Sequence, residues 1–369
     1  MNTHNKGNQQ CIKIMSFLIF IAITAITSKS SARLLNAEDF KVLRQLDAFK
    51  AAVERETPGD RALIIGIQDL RTDVIGMVLS ESPEVPQSPE SAAIQWALRV
   101  WANEPARYAH AAAITIPSGI ASVKAGKYKC NRFVADAFGI GACKGFATDG
   151  ENGAYPVTAR KFLFWGGHNP PMANQLADQN LLLANLYVIH ESEARPGNIV
   201  AYPGGKDLGH TGILLGHNLY ISARDDEDHQ TRPAKSFQVV DGIQIKMLDP
   251  GTKTFRRFSY GFEFEFEFAN YLESRRFYIP GNRFQVTVNA HYKTTVDHST
   301  TDYLQVSLVR MSDGDHSECN LQVGGKVTCS WRKQQPGAYY MILKKAPISG
   351  RLVTADILEG NGEVTANGN

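Results

Sequence analysis

Residues 126–138 read Gly126-Lys127-Tyr128-Lys129-Cys130-Asn131-Arg132-Phe133-Val134-Ala135-Asp136-Ala137-Phe138. From Asn131 onward the apolar residues fall at 133, 134, 137 and 138, which is one face of a helix. Cys130 therefore stands at or just before a helix N-terminus. Free N–H groups and the positive end of a helix stabilise a thiolate and lower its pKa. A neighbouring backbone N–H is also placed to hold an oxyanion. A buried core cysteine, or a disulfide between Cys130 and Cys143, accounts for this segment alone equally well.

A second stretch lies downstream: Arg195-Pro196-Gly197-Asn198, a short strand to Tyr202, a glycine-containing loop, then Gly209-His210-Thr211-Gly212-Ile213. Arg195-Pro196-Gly197 reads as a turn. Gly209 and Gly212 bracket His210 and let chain or substrate approach closely. His210 is expected to open a central strand of a small antiparallel sheet, with the next strand at 219–223. A lone histidine is usually structural. One set between glycines at a strand start, with a helix-capping cysteine upstream, suits nucleophilic catalysis.

Together the two stretches resemble the NlpC-like and CHAP superfamily of cysteine peptidases and amidases. The first motif is an aromatic residue, one residue, Cys and an apolar helix, here Tyr128-Lys129-Cys130-Asn131-Arg132-Phe133-Val134. The second is Arg195-Pro196-Gly197-Asn198 followed by Gly209-His210-Thr211-Gly212-Ile213, with Asn198 where Asp is commoner. Residues 169–178 also resemble a subset found among wall-targeting amidase effectors. The resemblance covers roughly residues 113–245. It implies a papain-like fold, Cys130 as nucleophile and His210 as base. It also implies a third residue about twelve positions after the histidine. Here that position is Ser222, whose hydroxyl stabilises imidazolium less than a carboxylate does; Asp225, Asp226 or a backbone carbonyl are alternatives. Tyr128 and Asn131 are expected on the substrate side, with packing against the sheet an equal role for Tyr128. In the implied reaction His210 takes the thiol proton, or the two rest as an ion pair. No metal or cofactor is required.

Outward from this region, residues 36–112 read mainly as helix. Asn36 caps a run with Leu43, Leu46, Phe49 and Val53 at spacings of 3 and 4. Residues 60–80 fit a helix or a strand. Ile94, Ala97, Leu98 and Trp101 mark another helix. Nothing catalytic is visible here, and a packing layer, lid or prodomain is expected. Residues 258–268 alternate strictly, with an aromatic residue at every even position, which is a strand with one apolar face. Glu263, Glu265 and Glu267 lie on its other face and read as solvated charges. Residues 280–369 show short strand-like runs separated by Gly, Pro, Asp and Ser, the pattern of a small sandwich or barrel. A three-residue loop at 323–325 would set Cys319 opposite Cys329 in a hairpin, within disulfide reach.

Residues 1–32 have the plan of an export signal: Lys6 and Lys13, an apolar run at 14–26, then Ser30-Ser31-Ala32. A run of 13 residues is short for a membrane span, which needs about 20. Losing Lys6, Lys13 and Lys29 lowers 39 basic residues to 36 against 37 acidic ones, and the net charge from +2 to −1. Strong nonspecific attraction to nucleic acid is not indicated. The chain lacks a Gly-rich phosphate loop and convincing Cys/His metal spacing.

The expected organisation is α+β. It comprises a signal at 1–32, a helical region at 33–112, a papain-like catalytic domain at 113–268 and a β-sandwich-like domain at 269–369. The expected function is a secreted or periplasmic cysteine hydrolase acting on peptide-type amides of peptidoglycan. The alternatives are an inactive wall- or protein-binding relative and an antibacterial amidase toxin. The C-terminal domain is expected to hold a wall or protein ligand.

Overall fold

The computed structural model describes residues 35–80, 88–114, 126, 129–142, 171–181, 183, 186–204, 209–225, 237–239, 241–274, 277–279, 281–293, 303–335, 337–346 and 357–367. The signal reading at 1–32, and the readings of Tyr128, Cys143 and Asp226, lie outside these residues. Three helices come first: α1 (Ala37–Glu56), α2 (Arg61–Ser80) and α3 (Pro89–Asn103). Asn36 caps α1 as expected. Its side-chain oxygen accepts from the amides of Glu38 and Asp39, both at 2.9 Å, and the Asp39 carboxylate accepts from the Asn36 amide at 3.0 Å. Asp39 also meets Arg99 of α3 at 3.0 Å, which joins the two helices. Residues 61–80 are helical, which resolves their double reading.

A six-stranded antiparallel sheet follows, in the order β1-β6-β2-β3-β4-β5. Its strands are β1 (Leu186–Ile189), β2 (Ile199–Tyr202), β3 (His210–Gly216), β4 (Leu219–Asp225), β5 (Asp241–Met247) and β6 (Thr254–Phe258). Two short helices pack against it, α4 (Cys130–Asp136), continued by a π-helical turn at Ala137–Ala142, and α5 (Ala173–Ala177). One face of the sheet, with Ile199, Ile213, Leu215, Ile221 and Ile245, shares a core with Leu46, Phe49, Ile67, Leu98 and Phe133 of the helices. Each such buried side chain contributes about 1.5–3 kcal/mol. Residues 37–103 are therefore the packing layer of this sheet.

The α+β, papain-like expectation is corrected here. The structure is mostly antiparallel β-sheet. Among the described residues the stretch 113–268 holds only the seven-residue α4 with its six-residue π-helical continuation, the five-residue α5 and a three-residue 3-10 turn. It makes no helix-plus-sheet catalytic core of its own, because the long helices on the sheet come from upstream.

The remaining strands form two further antiparallel sheets, β13-β10-β15-β7 and β12-β11-β14-β8, with β9 (Phe277–Ile279) also on β14. The first contains β7 (Phe262–Phe268), β10 (Asn282–Tyr292), β13 (Gly325–Gln334) and β15 (Leu358–Asn367). The second contains β8 (Tyr271–Glu273), β11 (Tyr303–Arg310), β12 (His316–Gln322) and β14 (Gly337–Ala346). Their inner faces share one core, including Phe264, Phe284, Val286, Leu308 and Met341. The alternating segment was placed with the catalytic stretch, but β7 pairs with β15 and belongs to this sandwich. Phe264, Phe266 and Phe268 point inward, and Glu263, Glu265 and Glu267 are exposed.

Cys319 and Cys329 form a disulfide, with 6.0 Å between their Cα atoms. The expected hairpin register is wrong. β12 pairs with β11 and β13 with β10, so the two cysteines sit on edge strands of different sheets. The bond staples one flank of the sandwich. Replacing both cysteines by serine should lower stability by about 2–4 kcal/mol, read as a lower urea midpoint for the sandwich transition. An unchanged midpoint would show that packing alone holds that flank.

Candidate active site

Cys130 opens α4, whose position is set by buried polar contacts on either side. Lys129, the preceding residue, is 2% exposed, and its ammonium donates to the carbonyls of Ala109 (2.7 Å) and His110 (3.1 Å). The Asp241 carboxylate of β5 accepts from the amides of His110 and, at 2.9 Å, Ala111. One turn further on, Arg132 meets Asp136 at 2.9 and 3.0 Å, and the Tyr108 hydroxyl donates to Asp136 at 2.6 Å. Burial and the adjacent carboxylate hold Tyr108 protonated, its pKa pushed well up. These contacts leave α4 little freedom to slide along β3.

Cys130 is a free thiol, 5% exposed. The backbone N–H groups of Thr211, Asn131 and Cys130 itself act to favour its thiolate. Thr211 directly follows His210. The imidazole Nε2 of His210 lies 2.9 Å from the Ser222 hydroxyl on the neighbouring strand. With Nε2–H as donor, Nδ1 keeps its lone pair; the opposite assignment makes the serine the donor. The antiparallel register of β3 on β4 and the two-residue turn His217-Asn218, both with positive φ, bring Ser222 to this ring. The reading of Ser222 as the histidine's partner thus has a matching contact.

The structure brings the Cys130 thiol to the backbone beside His210, and His210 to Ser222. No hydrogen bond joins the thiol to the imidazole among the described residues. Asn131 is engaged elsewhere, donating to the carbonyl of Pro171 at 3.3 Å ahead of α5. Asn198, which stands in the second motif, is buried at the turn. Its side-chain oxygen accepts from the Arg195 amide at 3.0 Å. Gly197 is required there, with φ +86° and the Glu90 side chain where its Cβ would lie, at 2.2 Å.

Five further residues shape the site. The Tyr202 ring stacks on His210 at 6.4 Å and the Tyr220 ring meets it edge-on at 6.0 Å. The Tyr220 hydroxyl donates to Asp249 at 2.9 Å, and Arg224 donates to both the Tyr220 oxygen and Asp249. Lys246 pairs in register with Tyr220 on the other side. A period-two signal was present in Tyr220-Ile221-Ser222-Ala223-Arg224, where alternate residues are polar, but only the strand order shows which face they share.

The electrostatics differ from the ion pair entertained above. Burial raises the Cys130 thiol above its ordinary value, and the amide contacts and Arg224 only partly offset this. Burial also pushes His210 well below the ordinary histidine range, helped by Arg224 and Lys246. At neutral pH both groups rest uncharged. Desolvation is the largest of these effects and outweighs both the amide donors and Arg224. Burial and Asp249 raise the Tyr202 phenol to about 12, so it meets the imidazole as a neutral ring. Among the described residues no cluster of three or more His, Cys, Asp or Glu side chains is placed to hold a metal ion.

No protein-family model matches the chain. No curated protein matches it either. Parts of it resemble solved structures at very low similarity. The Yersinia pseudotuberculosis-derived mitogen is 8% identical at a TM-score of 0.20, covering 30% of this chain and 87% of that one. The CBM22-1 xylan-binding domain from Paenibacillus barcinonensis is 9% identical at 0.19, covering 40% and 80%. The CBM22-1 and GH10 modules of a Clostridium thermocellum endo-1,4-β-D-xylanase are 13% identical at 0.19, covering 42% and 25%. None of these three is an NlpC-like or CHAP protein, and likeness at this level carries no functional argument.

The two pKa directions set opposite pH limits on stability. Below about pH 6.5 the unfolded chain takes up a proton that folded His210 refuses, so stability falls as pH drops toward the depressed folded value. Above about pH 9 the unfolded chain releases a proton that folded Cys130 keeps, so stability falls as pH rises toward the raised folded value. In urea unfolding from pH 5 to 10, His210→Gln should flatten the acid limb and Cys130→Ala the alkaline limb. Each group contributes a slope of at most about 1.4 kcal/mol per pH unit. Limbs unchanged in both variants would assign the pH dependence to other groups.

Proposed function

We propose that this protein is a cysteine hydrolase of peptide-type amide bonds, with Cys130 as nucleophile, His210 as general base and Ser222 positioning the imidazole. The observation that carries this reading is the shared strand start. A free thiol lies where the Thr211 amide favours its thiolate, and the residue before Thr211 is a histidine whose ring meets the Ser222 hydroxyl at 2.9 Å. Arg224 favours the thiolate of Cys130 and disfavours the imidazolium of His210.

With both groups neutral at rest, the thiol proton passes to the imidazole only as the sulfur attacks. The S–C bond forms at the amide carbonyl, and a backbone N–H at the start of α4 takes the oxyanion. The imidazolium returns its proton to the leaving amine as the C–N bond breaks. Water, deprotonated by His210, then hydrolyses the thioester to a carboxylic acid and restores the thiol. Binding of substrate must bring thiol and ring together, as catalytic hydrogen bonds tighten on complex formation.

The export signal read at 1–32 and the likeness to NlpC-like and CHAP motifs favour peptidoglycan peptides as the substrate class. They also favour a secreted or periplasmic location. The disulfide is consistent with such a compartment. No helix among the described residues is long and apolar enough to cross a membrane. The burial of Cys130 and the serine in the orienting position favour one second reading, a slow or inactive relative that binds wall or protein ligands.

Digestion of purified peptidoglycan by the mature chain, with mass spectrometry of soluble fragments, tests the proposal. Wild type should release fragments and Cys130→Ala none. Ser222→Ala should lower turnover about five- to tenfold with KM unchanged, the loss of one hydrogen bond of about 1 kcal/mol. No fragments from wild type, or equal release by wild type and Cys130→Ala, would overturn the enzyme reading in favour of the binder.

A further inference from the structure

A cleft of about 370 Å³ lies where the six-stranded sheet meets the sandwich. One wall is apolar and comes from the segment after α5 and from β1, with Leu181, Leu183, Leu186 and Val188. The facing wall comes from β7 and β15 and carries Glu263 and Glu363. These two glutamates are direct cross-strand partners, and both are exposed. Neither forms an ion pair with a described residue. Like charges set opposite each other on neighbouring strands repel, and one cation of the sandwich, Lys326, lines an adjoining cleft with both glutamates without forming an ion pair with either.

Both walls are braced. Arg256 itself lines the cleft, but its buried guanidinium is committed to the carbonyls of Leu176 at 2.7 Å, Leu181 at 3.2 Å and Asp178, which fixes the loop bearing the apolar side chains. On the other side Gly261 lies so close to β15 that a Cβ there would meet the Val364 carbonyl at 2.5 Å. Its amide donates to Ser259 Oγ at 3.1 Å. The cleft therefore needs little reorganisation to accept a ligand, which lowers the cost of binding. Tyr187 and Val188 line it while remaining 46% and 37% exposed, which leaves apolar surface for an occupant to cover.

We propose that this cleft binds a primary ammonium group carried on an aliphatic chain, as in a lysine-type side chain. The ammonium supplies three donors and a positive charge to the Glu263–Glu363 pair. The methylene stem lies along the Leu181–Val188 wall, as lysine stems do on apolar surfaces. The site is separate from Cys130 and His210 and does not depend on their chemistry.

Methyl-labelled protein titrated with hexylammonium chloride, and in parallel with 1-hexanol, tests the proposal. Hexylammonium should shift the methyl signals of Leu181, Leu183, Val188 and Val364 saturably. Its affinity should fall about tenfold or more in Glu263→Gln/Glu363→Gln and should weaken with added salt. The double variant removes a repulsion, so its thermal midpoint should stay at or above that of the parent, which separates lost binding from lost fold. Equal affinity for hexanol, or unchanged affinity in the double variant, would overturn the ammonium site. So would the absence of any shift with hexylammonium.

Discussion

Gly212 has no room for a side chain. A Cβ there would lie 2.6 Å from the Tyr220 ring, 2.7 Å from the Ile221 carbonyl and 3.0 Å from Ser222. This close approach lets β3 lie tightly against β4, and the site depends on it. Odd positions of β3, Ile213 and Leu215, then enter the core shared with the N-terminal helices, and even positions face Tyr202, Tyr220 and Ser222. His210 acquires its serine partner, its two aromatic walls and the nearby cations from that one register. A one-residue slip would send every one of these side chains to the opposite face.

The same burial that orders the site works against charge in it. A helix N-terminus favours a thiolate, and the amides of Asn131 and Thr211 act in that direction. They do not overcome desolvation of a nearly inaccessible sulfur. Arg224 makes the asymmetry plain: its positive charge favours a thiolate and disfavours an imidazolium. A resting ion pair would need both charged forms at once, and Arg224 helps only one of them. The neutral couple is thus a consequence of where the strand sits as much as of the residues on it.

The sandwich solves a different packing problem. The β7 phenylalanines are large, and the strand beside them supplies space rather than side chains. A Cβ on Gly362 would meet Phe264 at 2.3 Å, and one on Gly360 would meet Phe266 at 2.8 Å and the Asn289 carbonyl at 2.1 Å. Glycine normally weakens a strand. Here its absence of side chain is what lets the aromatic row fit, so a stretch of low strand propensity, Leu358–Asn367, becomes a central strand. The disulfide then closes the flank far from β7, joining the two edge strands β12 and β13.

The sequence by itself determined the local elements. The Asn36 cap, the helix beginning at Cys130, the strand beginning at His210 and the alternation of β7 were all legible, because each depends on spacing or on near neighbours; the Cys319–Cys329 bond was expected from a hairpin register that the structure does not have. Only the tertiary structure decided how these pieces associate. It made the N-terminal helices part of the six-stranded sheet's core, moved β7 into the sandwich, and put Cys319 and Cys329 on different sheets. It also replaced the expected papain-like domain with a mostly antiparallel β architecture. The physical reason is that strand pairing and burial are long-range. Neither the partner of β15, nor the desolvation that leaves Cys130 and His210 uncharged, is encoded in any short window of residues.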